Sequence, residues 1–296
     1  MNIAFVGQQH YFNCAVPMAM DGHRLYVLNV NGDLSNKTRY ASVLALNKEK
    51  DIDVWFFFRG EFLHHDYAKQ LKGVKVNIST EPIQRSDTPF CLQHTKGKFD
   101  KFFHYDKTHI PWIEKTQNIK VDGEFQLPVN LDLYRYLELP QQWDVGFIGR
   151  STDSRERHFD QFTPRREQYM STLKHLTKFL HVSHGLFEEE LIRILNMIKI
   201  HLNIHIGTYP QLQHRVQNAV ACKQFVLSER LSHNDDLEEY KHFVPFLNAS
   251  DLVEKVDYYL EHENERKKIA QQGYDYVTKR FDAETEWAKL IDKVIK

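Results

Sequence analysis

Arg215 is the side chain in this sequence with the clearest chemistry. It opens the helical part of LNIHIGTYPQLQHRVQNAVACKQFVLSER (202–230). There Val216, Ala219, Val220 and Cys222 recur at helical spacing, and Phe225-Val226-Leu227 then runs apolar, as a strand inside a parallel sheet does. Ligands of such sheets lie at the carboxyl ends of strands, where loops and helix starts present donors. A guanidinium at a helix start, beside free N–H groups, suits an anion, so the stretch reads as a nucleotide-phosphate site. A second group follows Asp144–Gly149 (DVGFIG), a strand ending in glycine: Arg150, Ser151, Ser154, Arg155 and Arg157. A glycine that lets the backbone approach closely, followed by hydroxyls and guanidiniums, suits a diphosphate. A solvated basic loop ahead of a helix is the competing reading, and Arg215 tips the balance toward the phosphate.

Two spots in the first half also carry chemistry. Glu81, in Thr80-Glu81-Pro82 just past VKVNIS (74–79), stands where a general base or a binder of an acceptor hydroxyl would stand; a solvated loop glutamate before a proline is the plainer reading. His104-Tyr105-Asp106, after Phe102-Phe103, is either an acceptor-holding site or an ordinary strand-to-helix cap. Gln84–Lys101 is polar and aperiodic and reads as a mobile loop, a common place for acceptor recognition. The 17 histidines are scattered, and the one His-x-x-x-His spacing, His201 and His205, falls on an expected strand rather than on one helix face. No metal is expected.

The elements that must position these residues alternate between strand and helix. Asn2–Gly7 (NIAFVG), His23–Val30, Val54–Phe58 (VWFFF) and Val74–Ser79 read as strands, with helices over Asn13–Asp21, Ser35–Asn47 and Phe62–Leu71 between them. The first strand lacks a G-x-G-x-x-G fingerprint, so nothing marks its turn as a dinucleotide site. A short strand, Phe125–Pro128, closes this half, and Asn130–Leu139 with Pro140 reads as a linker. The pattern then restarts: strand Asp144–Gly149, helix Arg165–Phe179, strand Leu180–Ser183, helix Glu188–Met197 and the Arg215 stretch. Strand Phe243–Phe246 and three amphipathic helices, from Asp251, Glu265 and Glu284, end the chain. Such alternation implies βαβ units and two mostly parallel sheets, with domains at 1–140 and 141–296, the last helix packing back on the first. A chain of 296 residues is long enough for two such cores. The net charge of −1 gives no global sign of nucleic acid or anionic membrane as a partner. Cys14, Cys91 and Cys222 cannot all pair and show no metal spacing. With no signal-like start and no run long enough to span a bilayer, a cytoplasmic location is expected.

Several segments together resemble CgeB-like glycosyltransferases, the group-one type first described as spore maturation proteins. FQLPVNLDLYRYLELPQQWDVGFIG looks like their linker and first strand of the second domain. HGLFEEELIRILNMIKIHLNIHI and RVQNAVACKQFVLSE resemble the stretch ending in their R-V-x-E-A-x-A-C-G motif, and ASDLVEKVDYYLEHENERKKIAQQGYDYVTKRF their closing helices. The likeness covers most of 125–296 in consistent order; the first half shares only its strand–helix order. It implies an α/β fold of GT-B architecture, two Rossmann-like domains facing a central cleft, with a nucleotide sugar held chiefly by the second. Such enzymes need neither cofactor nor metal, because basic residues and helix starts neutralise the leaving diphosphate.

By position, the resemblance implies that Arg215, Gly149 and Arg150 face the donor phosphates and that His184 and Gly185 lie beside the nucleoside base. Ser151 and Arg155 share the loop of Arg150. The motif glutamate, which holds ribose hydroxyls, is Asn218 here, losing a charge-assisted bond worth roughly 1.5–3 kcal/mol; the motif glycine is Lys223. Glu229, on a polar tip beyond the following strand, either takes over the ribose hydroxyls or, as the plainer reading, is a surface residue. Glu81 matches an acidic position of a D-D-P-like segment. A fainter resemblance, to phage DNA β-glucosyltransferase, rests on an R-V-x-E segment, an arginine-bearing loop and a T-D-I-R segment near Thr80-Glu81; it implies Glu81 as the base acting on hydroxymethylated bases in DNA. The function expected is therefore metal-independent transfer of a sugar from a nucleoside diphosphate, UDP, to an acceptor hydroxyl. The alternatives are transfer to DNA, a degenerate GT-B scaffold (suggested by Asn218 and Lys223), and, last, a nucleotide-sugar epimerase of the same fold.

Overall fold

The computed structural model of the protein describes residues 1–30, 35–83, 87–149, 165–174, 177–183, 186, 188–205, 214–231 and 236–296. The chain forms two compact units, Met1–Asn130 with Ala283–Lys296, and Leu131–Asp282. In the first, β1 (Asn2–Gly7), β2 (Arg24–Asn29), β3 (Val54–Phe58), β4 (Val74–Ser79), β5 (Lys101–His104) and β6 (Gly123–Glu124) make one parallel sheet in the order β2-β1-β3-β4-β5-β6. The interior strands β1 and β3 are buried nearly throughout, which is why they read as unbroken apolar runs. Helices α1 (Gln9–Ala15), α2 (Asn36–Glu49), α3 (His65–Ala68), α4 (Thr88–Gln93) and α5 (Ile110–Trp112) lie between the strands. The strand order reverses beside β1, so the carboxyl ends of β1 and β3 flank a switch point, the usual ligand position in open α/β sheets.

The last helix of the chain, Ala283–Ile295, belongs to this first unit because of one side chain. Trp287 is fully buried among Phe5, Phe56, Phe58 and Phe125, with ring centroids 4.7–5.8 Å away. Its indole N–H donates to the carbonyl of Ala15 at 2.6 Å. A large apolar ring whose single donor is satisfied is the combination that favours full burial of tryptophan.

The second unit repeats the plan. Strands β7 (Trp143–Ile148), β8 (Phe179–Val182), β9 (Ile198–Asn203), β10 (Phe225–Glu229) and β11 (Val244–Phe246) form a parallel sheet in the order β11-β10-β9-β7-β8. Here β7 takes the place of β1, with the reversal beside it. Helices α6 (Arg165–Leu173), α7 (Glu188–Asn196), α8 (His214–Ala221), α9 (Ala249–Glu261) and α10 (Glu263–Arg280) complete the unit. No helix among the described residues is long and apolar enough to cross a membrane.

Several element boundaries differ from the sequence reading for local reasons. The first helix covers Gln9–Ala15 rather than Asn13–Asp21, because Pro17 holds Val16 extended at φ −105° and ψ 125° and ends the helix there. Phe62–Leu71 is a 3₁₀ turn, Gly60–Phe62, and the single helical turn α3, not one helix. The segment 84–101, read as loop, contains α4, with Pro89 in its first turn, where a missing N–H is harmless. The strand expected at Phe125–Pro128 lies two residues earlier, at Gly123–Glu124.

Lys223 also has a local explanation. It stands just past α8 at φ 58°, in the left-handed region. Its N–H donates to Val220 and that of Gln224 to Ala219, the paired bonds of a Schellman cap. The position at which the resemblance places a glycine is thus, in this chain, a helix cap. A lysine there costs about 1 kcal/mol of backbone strain, partly offset by its ammonium 4.6 Å from the Tyr136 ring centroid, a contact worth about 0.5 kcal/mol at an exposed site. Lys223→Gly is expected to stabilise the protein by about 0.5 kcal/mol, and by about 1 kcal/mol when Tyr136 is also alanine. Urea unfolding of the four proteins of that cycle checks it.

Candidate active site

The carboxyl end of the second sheet gathers charge from four elements. β7 ends against Gly149, β9 at Asn203 with Ile204 and His205 following, and β10 at Glu229; Arg215 and Arg166 stand in the first turns of α8 and α6. Arg215 donates from Nε to Asn203 Oδ1 at 3.0 Å and from Nη2 to the carbonyl of Ile204 at 3.3 Å. Arg166, only 4 % exposed, donates to the same Ile204 oxygen from Nε at 3.2 Å and from Nη2 at 3.0 Å. Both guanidiniums lie within 6.0 Å of the centroid of the Phe147 ring. Two like charges converge on one carbonyl.

Gly149 completes the arrangement. Its φ is 150°, and a Cβ there would sit 3.2 Å from Arg215 Nη1 and 3.3 Å from the Phe147 ring. The absent side chain therefore keeps backbone and guanidinium close, with His181 Nε2 and the Gly149 carbonyl 2.9 Å apart. The structure thus brings Gly149 and Arg215 together as the sequence expects. Arg150, Ser151, Arg155, His184 and Gly185 lie outside the described residues. Asn218, one turn after Arg215 on α8, is 6 % exposed, and its Oδ1 has no hydrogen-bond partner among the described residues. A buried carbonyl left so costs about 1–3 kcal/mol.

Glu229 corrects the sequence reading of a polar tip. It is buried, because β10 is an interior strand between β9 and β11, and its carboxylate accepts the His205 N–H at 2.7 Å. Burial and then the neighbouring Arg166 push the Arg215 pKa down to about 9, with Glu229 pulling it back up. His201 lies one pleat below Asn203, fully buried, with neither ring nitrogen hydrogen-bonded among the described residues. Burial, and secondarily Arg215, push its pKa down to about 3, so it adds no charge.

Arg166 and Asn203 were not singled out by the sequence reading. Asn203 had a visible signal, a polar side chain closing the otherwise buried strand IKIHLN. Arg166 had none beyond the Arg165-Arg166 doublet at a helix start.

In the first unit, Glu81 follows β4 and forms an ion pair with Arg59, Nη1 to Oε1 at 2.7 Å. Arg59 follows β3 in the left-handed region at φ 58°, and its other edge meets Glu61 at 2.9 Å. Burial opposes the charge on Arg59, but Glu81 and then Glu61 hold its pKa above the ordinary value. Tyr11 Oη lies 2.8 Å from Thr80 Oγ1, which ties α1 to the same strand end. Asp106 caps a 3₁₀ turn by accepting the Thr108 N–H at 2.8 Å, as the cap reading of His104-Tyr105-Asp106 expects. His104 Nε2 lies 2.9 Å from His109 Nδ1 beside it, both rings buried.

Comparison with known proteins accords with this geometry. Residues 156–292 match the glycosyl transferase-like family, whereas comparison with curated proteins gives no match. Among solved structures, an α-glucosyltransferase in complex with UDP-glucose and DNA containing an abasic site aligns with TM-score 0.67 at 10 % identity, over 100 % of both chains. HepE of Anabaena in complex with UDP-glucose aligns with TM-score 0.67 at 9 % identity, over 99 % of both chains. The sucrose-phosphate synthase of Thermosynechococcus elongatus aligns with TM-score 0.65 at 9 % identity, over 100 % of this chain and 99 % of the other. The chain has the GT-B fold of these glycosyltransferases, and its residues 156–292 are similar to the glycosyl transferase-like family.

Proposed function

We propose that the protein is a CgeB-like, metal-independent glycosyltransferase that moves a hexosyl or pentosyl group from a UDP-sugar to an acceptor hydroxyl in the cytoplasm. The observation that carries this reading is the convergence of Arg215 and Arg166 on the Ile204 carbonyl beside Gly149. Two cations held side by side at a sheet's carboxyl end are stabilised by an anion of two or more charges, and the diphosphate of a nucleotide sugar supplies it. HepE and the α-glucosyltransferase, each solved with UDP-glucose, support the choice of nucleotide. The acceptor oxygen bonds to the anomeric carbon as the bond from that carbon to the diphosphate breaks. The electron pair leaves with UDP, whose charge falls to Arg215, Arg166, Arg150, Ser151 and Arg155. Glu81 takes the acceptor proton, His184 and Gly185 line the nucleoside, and Asn218 Oδ1 accepts from a ribose hydroxyl.

Turnover tests the reading: UDP-sugars are mixed with the protein, and release of UDP is followed by phosphorus NMR with glycan, small-molecule and DNA acceptors. Release from one or more UDP-sugars is expected. None with any donor and acceptor would favour the degenerate scaffold.

A further inference from the structure

Asn203 and Ser228 are both fully buried, on the neighbouring strands β9 and β10 and directly paired in register. Asn203 Nδ2 donates to Ser228 Oγ at 2.8 Å, and Ser228 Oγ donates to the carbonyl of Glu229 at 2.8 Å. A serine hydroxyl has one proton. Because that proton is committed to the Glu229 carbonyl, Ser228 Oγ can only accept from Asn203, so the amide must turn its nitrogen toward Ser228. Its oxygen is then left facing Arg215 Nε, the 3.0 Å contact observed.

We infer that Asn203 is a positioning residue for the donor diphosphate, and that Ser228 decides which end of its amide meets Arg215. The direction of the chain runs from the backbone of β10 through Ser228 and Asn203 to the guanidinium. With Ser228 removed, the amide can reverse and place its own N–H groups against a cation, which releases Arg215 from its aim. This chain rests on the donor reading proposed above for its functional meaning, but its geometry does not.

The test uses that asymmetry. An asparagine has one acceptor end and one donor end, whereas an aspartate has two acceptor ends and presents an acceptor to Arg215 whichever way it turns. Hydrogen exchange of the Arg215 Nε–H, followed by nitrogen-15 NMR of arginine-labelled full-length protein, needs no ligand. Ser228→Ala in the wild-type background should speed this exchange about tenfold, the size expected for losing one hydrogen bond made by a charged donor. In an Asn203→Asp background the same Ser228→Ala change should leave the exchange rate unaltered. A merely structural serine would loosen the site in both backgrounds. An unchanged exchange rate in the first comparison, or equal acceleration in both, would overturn the inference. Thermal midpoints accompany each variant; if Ser228→Ala fails to fold, Ser228→Cys, whose sulfur is a far weaker acceptor than a hydroxyl oxygen, takes its place with the same expected signs, faster exchange in the wild-type background and no added exchange in the Asn203→Asp background.

UDP titration supplies the functional arm. Ser228→Ala should weaken UDP binding about tenfold, and an unchanged affinity would overturn the positioning role. Absence of UDP binding by the wild type would instead overturn the donor reading, while the exchange experiment would still judge the Asn203 chain.

Discussion

Arg215→Ala is expected to lower sugar transfer by about 10²–10³-fold, the loss typical for removal of one preorganised group that stabilises a leaving or developing anion. Arg215 is held before any ligand arrives, by Asn203 Oδ1 and the Ile204 carbonyl, so no ordering remains for the moment of reaction. It also shares its surroundings with Arg166, and burial first and then that neighbour lower its pKa. An incoming diphosphate relieves that repulsion, and relief is greatest when the leaving group carries most charge. The alanine variant should fold, because relief of the repulsion between two cations offsets the donor that Asn203 Oδ1 loses. Steady-state rates with a UDP-sugar, compared after both proteins show matching thermal midpoints, measure the effect. Rates within about threefold of wild type would place the diphosphate elsewhere.

Trp287→Ala is expected to cost about 3–5 kcal/mol of folding stability, the range for truncating a fully buried aromatic in a core that cannot collapse around the space. That is a large share of the roughly 5–15 kcal/mol that holds a domain folded. Its neighbours Phe5, Phe56 and Phe58 are fixed on interior strands of the first sheet, so they have little freedom to fill the cavity. The carbonyl of Ala15 loses its donor as well. Trp287→Phe keeps a ring but not the N–H and should cost about 1–2 kcal/mol. Urea unfolding followed by the fluorescence of the remaining tryptophans reports both. A loss below about 1 kcal/mol for the alanine variant would show that the last helix does not hold the first unit's core.

The strand pattern was legible because parallel strands covered on both faces must be apolar throughout, and NIAFVG, VWFFF and FVL announce this directly. Gly149 and Arg215 were legible for a related reason: each follows or faces the carboxyl end of such a strand, and that end is where chemistry collects. Glu81 was legible by the same rule, but its partner was not. Arg59 meets it only because β3 and β4 are neighbours, a pairing that no spacing in the sequence states. Arg166 shows the limit more sharply. Nothing local separates it from Arg165; the fold alone carries it to the Ile204 carbonyl. Glu229 is harder to read from its type, because glutamate is usually solvated whereas this strand is interior. Lys223 was read as a lost family glycine, and the lost feature is a helix cap. That removes one of the two reasons for suspecting a degenerate protein, leaving Asn218.

The most direct test of the central claim is calorimetric titration with UDP, in the presence and absence of EDTA, of the wild type, Arg215→Ala and Arg166→Ala. The account predicts UDP binding that is indifferent to EDTA, stronger than that of ADP or GDP, and weakened by at least about tenfold in each variant, the loss expected for a charge-assisted contact. UDP binding that survives in both variants would contradict it, because the two guanidiniums on the Ile204 carbonyl would then not be the diphosphate site.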